Sequence, residues 1–184
     1  VYRRSQRLLH LFAEKAIRNV ALHAAERRRG DPDPHAGHDR VGALGASYGG
    51  YMINWIESQG AKIFNCLVSH SGVFDLRSMH GATEELWFPE WEYLGTPWTS
   101  PEQYRKFSPS STVADFKTPC LVIHGANDFR VPLEQGLQMY TSLQRMNIPS
   151  KFLYFPDEDH FILKPQNSEL WYRTIWNWFA EYLK

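Results

Sequence analysis

Two cysteines in 184 residues, Cys66 and Cys120, are too few for a disulfide framework or a four-cysteine zinc site. Net charge is missing too, because 20 Lys+Arg balance 20 Asp+Glu. That excludes nucleic-acid binding carried by bulk positive charge. No apolar run approaches the ~20 residues of a membrane-crossing helix, so no membrane partner is expected. The chain has no Asn-x-Ser/Thr sequon and no signal-peptide core, so nothing in it assigns a compartment. Hydrophobic residues make up 43% and charged ones 22%, a composition that excludes a disordered or collagen-like chain. The length suits one domain better than two.

The balanced charge hides an asymmetry. Residues 1–40 carry 9 Lys+Arg against 5 Asp+Glu, and residues 41–184 carry 11 against 15. Leu8, Leu9, Phe12, Ala16, Val20 and Ala24 recur near helical spacing, which predicts a helix over 5–29 with a solvated basic face. Gly30 follows Arg27–Arg29 and stops it, and a loop runs on to Asp39. Residues 1–40 therefore read as a basic helix and loop apart from the rest. The chain begins at Val1, and an opening with no acid before Glu14 also suits a transit peptide or a fragment start.

From Arg40 onward short apolar runs alternate with amphipathic ones. Strands are predicted at 41–46, 64–68, 120–124 and 151–155. Helices are predicted at 48–58, with Met52, Trp55 and Ile56 inward; at 133–146, with Leu137, Tyr140, Leu143 and Met146 on one face; and at 168–183. Prolines and glycines punctuate residues 72–118, which read as irregular. The alternation predicts an α/β layer fold of about four parallel strands with crossover helices. Cys66 and Cys120 fall in neighbouring strands and read as buried free thiols.

Gly45-Ala46-Ser47-Tyr48-Gly49 is a Gly-x-Ser-x-Gly sequence between a predicted strand and a predicted helix. Such a corner exposes the serine Oγ, and its glycines let strand and helix approach. Only Ser47, of 13 serines, has glycine at both ±2 positions. A serine hydroxyl needs a base, and the base needs an orienting acid. His160 follows the last predicted strand, and Asp128 follows the one before it. All three then lie at the carboxyl edge of a parallel sheet, where sites of such sheets form. Asp157, Glu158 and Asp159 are rival acids, although chain neighbours seldom point at each other's rings. His70 and His124 read as hydrogen-bonded residues at strand ends. His10, His23, His35 and His38 lack ligand spacing, so no metal site is expected. Trp87, Phe88, Trp91, Tyr93 and Trp98 read either as the wall of an apolar pocket or as a small satellite core. Trp171, Trp176 and Trp178 are expected to pack on the sheet.

The runs Gly45–Tyr51, His124-Gly125-Ala126-Asn127-Asp128-Phe129-Arg130-Val131-Pro132 and Asp157–Phe161 resemble the catalytic domain of the prolyl oligopeptidase family of serine peptidases. Thr83–Phe88 and Phe152–His160 look most like its acylaminoacyl-peptidase and dipeptidyl-peptidase V branch. The resemblance covers about residues 40–184 and implies the C-terminal part of an α/β-hydrolase peptidase domain. It implies Ser47 as nucleophile, Asp128 and His160 as its partners, and the Tyr48 N–H as an oxyanion donor. Arg130 would hold a substrate carbonyl, and Trp87, Phe88 and Val131 complete the expected substrate-binding set. The implied reaction is serine-type hydrolysis of short peptides near a free or acylated N-terminus, through an acyl-enzyme and without a cofactor. The same triad would serve a carboxylesterase. Family members also carry a His-Gly-Gly-type oxyanion loop, earlier sheet strands and a β-propeller, none of which shows in residues 1–40. The expectation is therefore a partial fold with its early strands missing, whose partners would be the absent propeller and hydrolase half. Without the second oxyanion donor such a fragment would hold the triad and be nearly inert.

Overall fold

A computed structural model of the chain describes residues 40–59 and 64–184. The helix expected over 5–29 lies outside the described residues. Strands β1 (Gly42–Ala46), β2 (Cys66–His70), β3 (Cys120–Gly125) and β4 (Ser150–Phe155) form one parallel sheet in the order β1-β2-β3-β4. The three long helices are α1 (Tyr48–Ser58), α5 (Leu133–Arg145) and α6 (Pro165–Tyr182). The strand and helix alternation read from the sequence is therefore the fold observed.

Every residue of β2 and β3 is buried, as befits strands covered on both faces. Side chains alternate between the two sides of the sheet. Leu67, Cys120 and Val122 pack with Ile53 of α1 and with Met139 and Leu143 of α5. Cys66, Val68, Leu121 and Ile123 pack with Ile175 and Trp178 of α6. Both cysteines are free and buried. Trp178 is the largest side chain fully enclosed, and its indole N–H donates to the Leu67 carbonyl at 3.1 Å. Trp171 is half-buried against His70, whereas Trp176 is exposed, contrary to expectation, because the helix turns it away from the sheet.

The remaining differences from the sequence reading have identifiable causes. β2 runs from Cys66 to His70, later than the apolar stretch 64–68. Ser69 and His70 look polar, but parallel pairing with Gly45 and Ala46 carries them into the sheet, where Ser69 Oγ donates to the Gly50 carbonyl at 3.3 Å. Residues 72–118 hold short helices α2 (Leu76–His80), α3 (Trp87–Glu92) and α4 (Pro101–Phe107), then a 3-10 segment at Pro109–Asp115. Their prolines start turns of helix instead of breaking them: Pro101 and Pro109 each sit at a first-turn position. Pro165 does the same for α6, which begins three residues before the predicted Ser168. In α1 the buried residues include Tyr51, Ile53, Asn54, Ile56 and Glu57, while Met52 and Trp55 are only half-buried. The helix is covered by the sheet on one side and the 3-10 segment on the other, so its polar residues are enclosed as well. Glu57 accepts the backbone N–H of Thr118 at 2.7 Å, and the Asn54 amide donates to the Val73 carbonyl at 2.9 Å. In α5 the inward residues are Gln135, Gly136, Met139 and Leu143, while Leu137 and, just past the end of the helix, Met146 are exposed.

His70 ends β2 with its imidazole enclosed and its Nε2 without a hydrogen-bond partner among the described residues. Burial, then the neighbouring His124 and His160, push its pKa down to about 4. The unfolded chain takes up a proton near pH 6.5 that the folded chain refuses. Stability is therefore lost as the pH falls from about 6.5 towards 4. The loss from this one group is roughly 2 kcal/mol at pH 5. Urea unfolding at pH 7 and pH 5 is expected to show it, with a smaller difference for His70→Gln; equal differences in both proteins would refute the assignment. Trp178→Ala is expected to cost about 3–5 kcal/mol of unfolding free energy through the cavity it leaves. Denaturant titration measures this, and a loss below about 1 kcal/mol would mean that the site collapses around the gap.

Candidate active site

Parallel pairing aligns Ala46 with His70, and His70 with Ile123, so the chain leaves β1, β2 and β3 at one edge of the sheet. Ser47 is the first residue beyond β1 and the cap of α1. Its φ of 59° lies in the left-handed region, which costs a non-glycine residue energy and marks a strained corner. Two backbone bonds hold it there. The Ser47 N–H donates to the His70 carbonyl at 2.9 Å, and the Tyr51 N–H donates to the Ser47 carbonyl at 2.9 Å.

The glycines around this corner have unequal roles. A Cβ on Gly45 would lie 2.2 Å from the Gly49 carbonyl oxygen, and one on Gly50 would lie 2.5 Å from that of His70. A Cβ on Gly49 would meet no atom within 4 Å. Close packing therefore depends on Gly45 and Gly50, and the second glycine of the Gly-x-Ser-x-Gly sequence is not held by contact.

His160 lies in the loop after β4. Its Nε2 is 2.8 Å from Ser47 Oγ, and its Nδ1 is 2.8 Å from Asp128 Oδ2. The carboxylate can only accept, so Nδ1 carries the proton and Nε2 is free to accept from the serine hydroxyl. His160 is 8% exposed, and Ser47 is half-buried. The Asp128 carboxylate is wholly enclosed. Its Oδ1 accepts the N–H groups of Arg130 at 3.1 Å and Val131 at 2.9 Å. Burial alone would raise the Asp128 pKa, but the bonds from His160 and Val131 outweigh it and hold the carboxyl below its ordinary range.

The rival acids point elsewhere. Asp157 pairs with Lys164, and Glu158 accepts the N–H groups of Leu163 at 3.1 Å and Lys164 at 3.0 Å. Asp159 Oδ1 accepts the Phe161 N–H at 3.2 Å. Their work is to shape the His160 loop. That loop is locked to the β3 loop where the Asn127 N–H donates to the Glu158 carbonyl at 2.9 Å. A Cβ on Gly125 would lie 2.2 Å from the Asp159 oxygen, so this approach requires glycine.

Tyr48 opens α1, and its N–H belongs to the helix-start donors that have no intrahelical acceptor. Its ring lies edge-on to Phe88 at 6.4 Å, and Phe88 lies edge-on to Trp87 at 5.8 Å. Burial, reinforced by the nearby Glu92 carboxylate, pushes the Tyr48 phenol up to about 12, so it stays neutral. Trp87, Trp91 and Trp98 are largely exposed, with Trp98 lying over His80, whereas Tyr93 belongs to the core beside Tyr104 and Phe107. Arg130 is partly exposed, with its Nε 3.2 Å from Glu85 Oε1. Val131 departs from expectation. It is 3% exposed, and its backbone is engaged by Asp128 and His124, so it presents no surface to a substrate.

Thr83 and Glu85 also belong to this region, and the sequence, where they stand only within the Thr83–Phe88 run, gives them no role. Thr83 Oγ1 donates to the Arg130 carbonyl at 2.7 Å, and the Glu84 N–H donates to the Phe129 carbonyl at 2.9 Å. Nothing in spacing signals a clamp formed by residues 47 and 45 positions apart. Among the described residues, no group of three or more His, Cys, Asp or Glu could hold a metal ion.

Dipeptidyl-peptidase 5 of Aspergillus fumigatus is 44% identical over 143 residues, which is 76% of this chain and 20% of that protein. Dipeptidyl-peptidase 5 of Porphyromonas endodontalis is 38% identical over 148 residues, covering 78% of this chain and 21% of that protein. The chain thus spans about a fifth of the length of these relatives. An acylaminoacyl peptidase of Pyrococcus horikoshii superposes with a TM-score of 0.75 at 31% identity, covering 82% of this chain and 25% of that one. A puromycin-hydrolysing peptidase of Mycobacterium tuberculosis shares the fold, with a TM-score of 0.75 at 24% identity. The four parallel strands and their helices match part of the α/β-hydrolase fold of these larger chains. Residues 31–184 match the prolyl oligopeptidase family, and with more than half its length in that match, the chain belongs to it.

Proposed function

We propose that the chain carries the catalytic triad of a serine-type peptidase that hydrolyses short peptides. The observation that carries this reading is the unbroken hydrogen-bonded line from Ser47 Oγ through His160 to the enclosed Asp128. His160 Nε2 takes the hydroxyl proton as Ser47 Oγ attacks the substrate carbonyl carbon. The carbonyl π electrons move to oxygen, and the Tyr48 N–H donates to the oxyanion formed. The tetrahedral species collapses, the C–N bond breaks, and His160 returns its proton to the departing amine. An acyl-enzyme remains on Ser47. Water, losing a proton to His160, then attacks the acyl carbon; the second tetrahedral species collapses as His160 returns that proton to the departing Ser47 Oγ, which frees the acid and restores the serine hydroxyl. Asp128 keeps the imidazole in the Nδ1–H tautomer and stabilises the imidazolium formed in each half.

The relatives and the rim of the site support a substrate class. Proteins named dipeptidyl-peptidase and acylaminoacyl peptidase support release of a dipeptide or an acylated residue from a peptide N-terminus. Arg130 offers N–H donors for a substrate carbonyl, and pairing with Glu85 limits its sweep. Phe88, between Tyr48 and Trp87, supports an apolar wall for the side chain beside the scissile bond.

The test uses the full-length protein and a fluorophosphonate probe. Labelling and aminoacyl-anilide hydrolysis are expected, and Ser47→Ala is expected to abolish both. Labelling that persists in Ser47→Ala would overturn the proposal, and a large preference for short nitrophenyl esters over anilides would favour an esterase. Asp128→Asn is expected to lower kcat by about 10³–10⁴-fold, because the amide selects the wrong imidazole tautomer. Arg130→Ala is expected to raise KM with a smaller effect on kcat, which steady-state kinetics on a dipeptide anilide would read.

A further inference from the structure

His124 is a second histidine in direct reach of Asp128, and the reaction just described gives it no part. It stands in β3, four residues before Asp128, with its side chain fully enclosed. Its Nε2 is 2.7 Å from the Val131 carbonyl oxygen and 3.5 Å from Asp128 Oδ2. Both of those oxygens can only accept. Nε2 therefore carries a proton and donates it to Val131, with a longer contact to the carboxylate. Nδ1 has no hydrogen-bond partner among the described residues. Burial, the largest influence, lowers the pKa of this imidazole, in keeping with a neutral ring and one fixed tautomer.

The consequence reaches Asp128 through one residue. Val131 is held on both sides: its carbonyl accepts from His124, and its N–H donates to Asp128 Oδ1 at 2.9 Å. The eight-residue turn from His124 to Val131 is thus closed by the imidazole, and the carboxylate sits inside that closure. With Oδ1 fixed by backbone N–H groups, the carboxylate plane is set, and Oδ2 is aimed at His160 Nδ1. Helix α5 supplies the backing. A Cβ on Gly136 would lie 2.6 Å from His124 Nδ1 and 3.1 Å from its Cγ, so the imidazole packs against helix backbone that only glycine leaves bare. An enclosed polar ring with one orphan nitrogen is costly where an apolar side chain would fill the same space.

We propose that His124 is a positioning residue for catalysis, holding the Asp128 carboxylate in register with His160 through Val131, and that Gly136 exists to admit its ring. This rests on the triad reading above. The experiment compares His124→Phe, His124→Gln and Gly136→Ala in the full-length protein, with Ser47→Ala alongside. Phe keeps the ring and removes the donor, and Gln restores an N–H near the same place. Ala at 136 leaves the donor but pushes it out of line.

His124→Phe is expected to lower kcat by about 10–100-fold with KM unchanged, the scale of a small misplacement of a catalytic group. His124→Gln is expected to recover most of that loss, and Gly136→Ala to reproduce part of it. Thermal melting of each variant is recorded in parallel. Where His124→Phe melts too early to assay, the Gly136→Ala and His124→Gln rates against wild type decide. Wild-type kcat in His124→Phe, or a Gln variant as slow as Phe, overturns the positioning role. So does wild-type kcat in Gly136→Ala should His124→Phe not be assayable. If Ser47→Ala instead keeps full activity, it is the triad reading that fails, and the two failures are told apart.

Discussion

Parallel hydrogen bonding in register is the constraint on which the rest depends. Because β1, β2 and β3 run the same way and pair Ala46 with His70 and His70 with Ile123, their chain exits converge on one edge. The Ser47 N–H then reaches the His70 carbonyl, and the Ser71 N–H reaches the Ile123 carbonyl, each at 2.9 Å. The ladder thus runs past the strands and into the loops that bear the functional side chains. An exposed loop would sample many positions, but one whose first residue still belongs to the sheet does not. The unfavourable φ of Ser47 persists because these bonds and the close approach at Gly45 and Gly50 over-determine it.

The site's polarity is a burden on the fold that is met by hydrogen bonding. Asp128, His124 and His160 are all enclosed or nearly so, and each has at least one short partner. The orphan nitrogens of His70 and His124 are exceptions. Burial favours the neutral form of His70 and His124, so under the proposed mechanism neither ring competes with His160 for the serine proton. Glu158 provides the same kind of support at one remove. It binds the N–H groups that start the turn after His160 and so fixes where that loop goes.

Much of this was legible in the chain. β1 and α1 lie within a residue of their predicted limits, because a glycine-rich corner separates an apolar run from a helical one. Ser47, Asp128 and His160 were singled out by motif and chain order, and their side chains meet at 2.8 Å. Burial was read less well. The residue pattern of α1 points Met52 and Trp55 inward and gives no sign that Asn54 and Glu57 are buried, since a helix covered on both sides shows no clean apolar stripe. Residues 72–118 looked irregular because helices of five to seven residues are too short for a period to emerge. Val131, expected to contact substrate, lies under the surface with its N–H on Asp128 and its carbonyl on His124.

What the chain determined alone is local: which runs favour strand or helix, where glycine permits a sharp corner, and which residue types could perform acyl chemistry. Those are properties of a few neighbouring residues, and they survive without any fold. Which acid faces His160 was decided only in three dimensions. Asp157, Glu158 and Asp159 are nearer in sequence, but backbone geometry directs them to Lys164, Leu163 and Phe161. The clamp of Thr83 on Arg130 and the closure of His124 on Val131 likewise came from packing. Hydrogen bonds between distant residues have no signature in spacing, because the sheet, and not the chain, sets the distance between their ends.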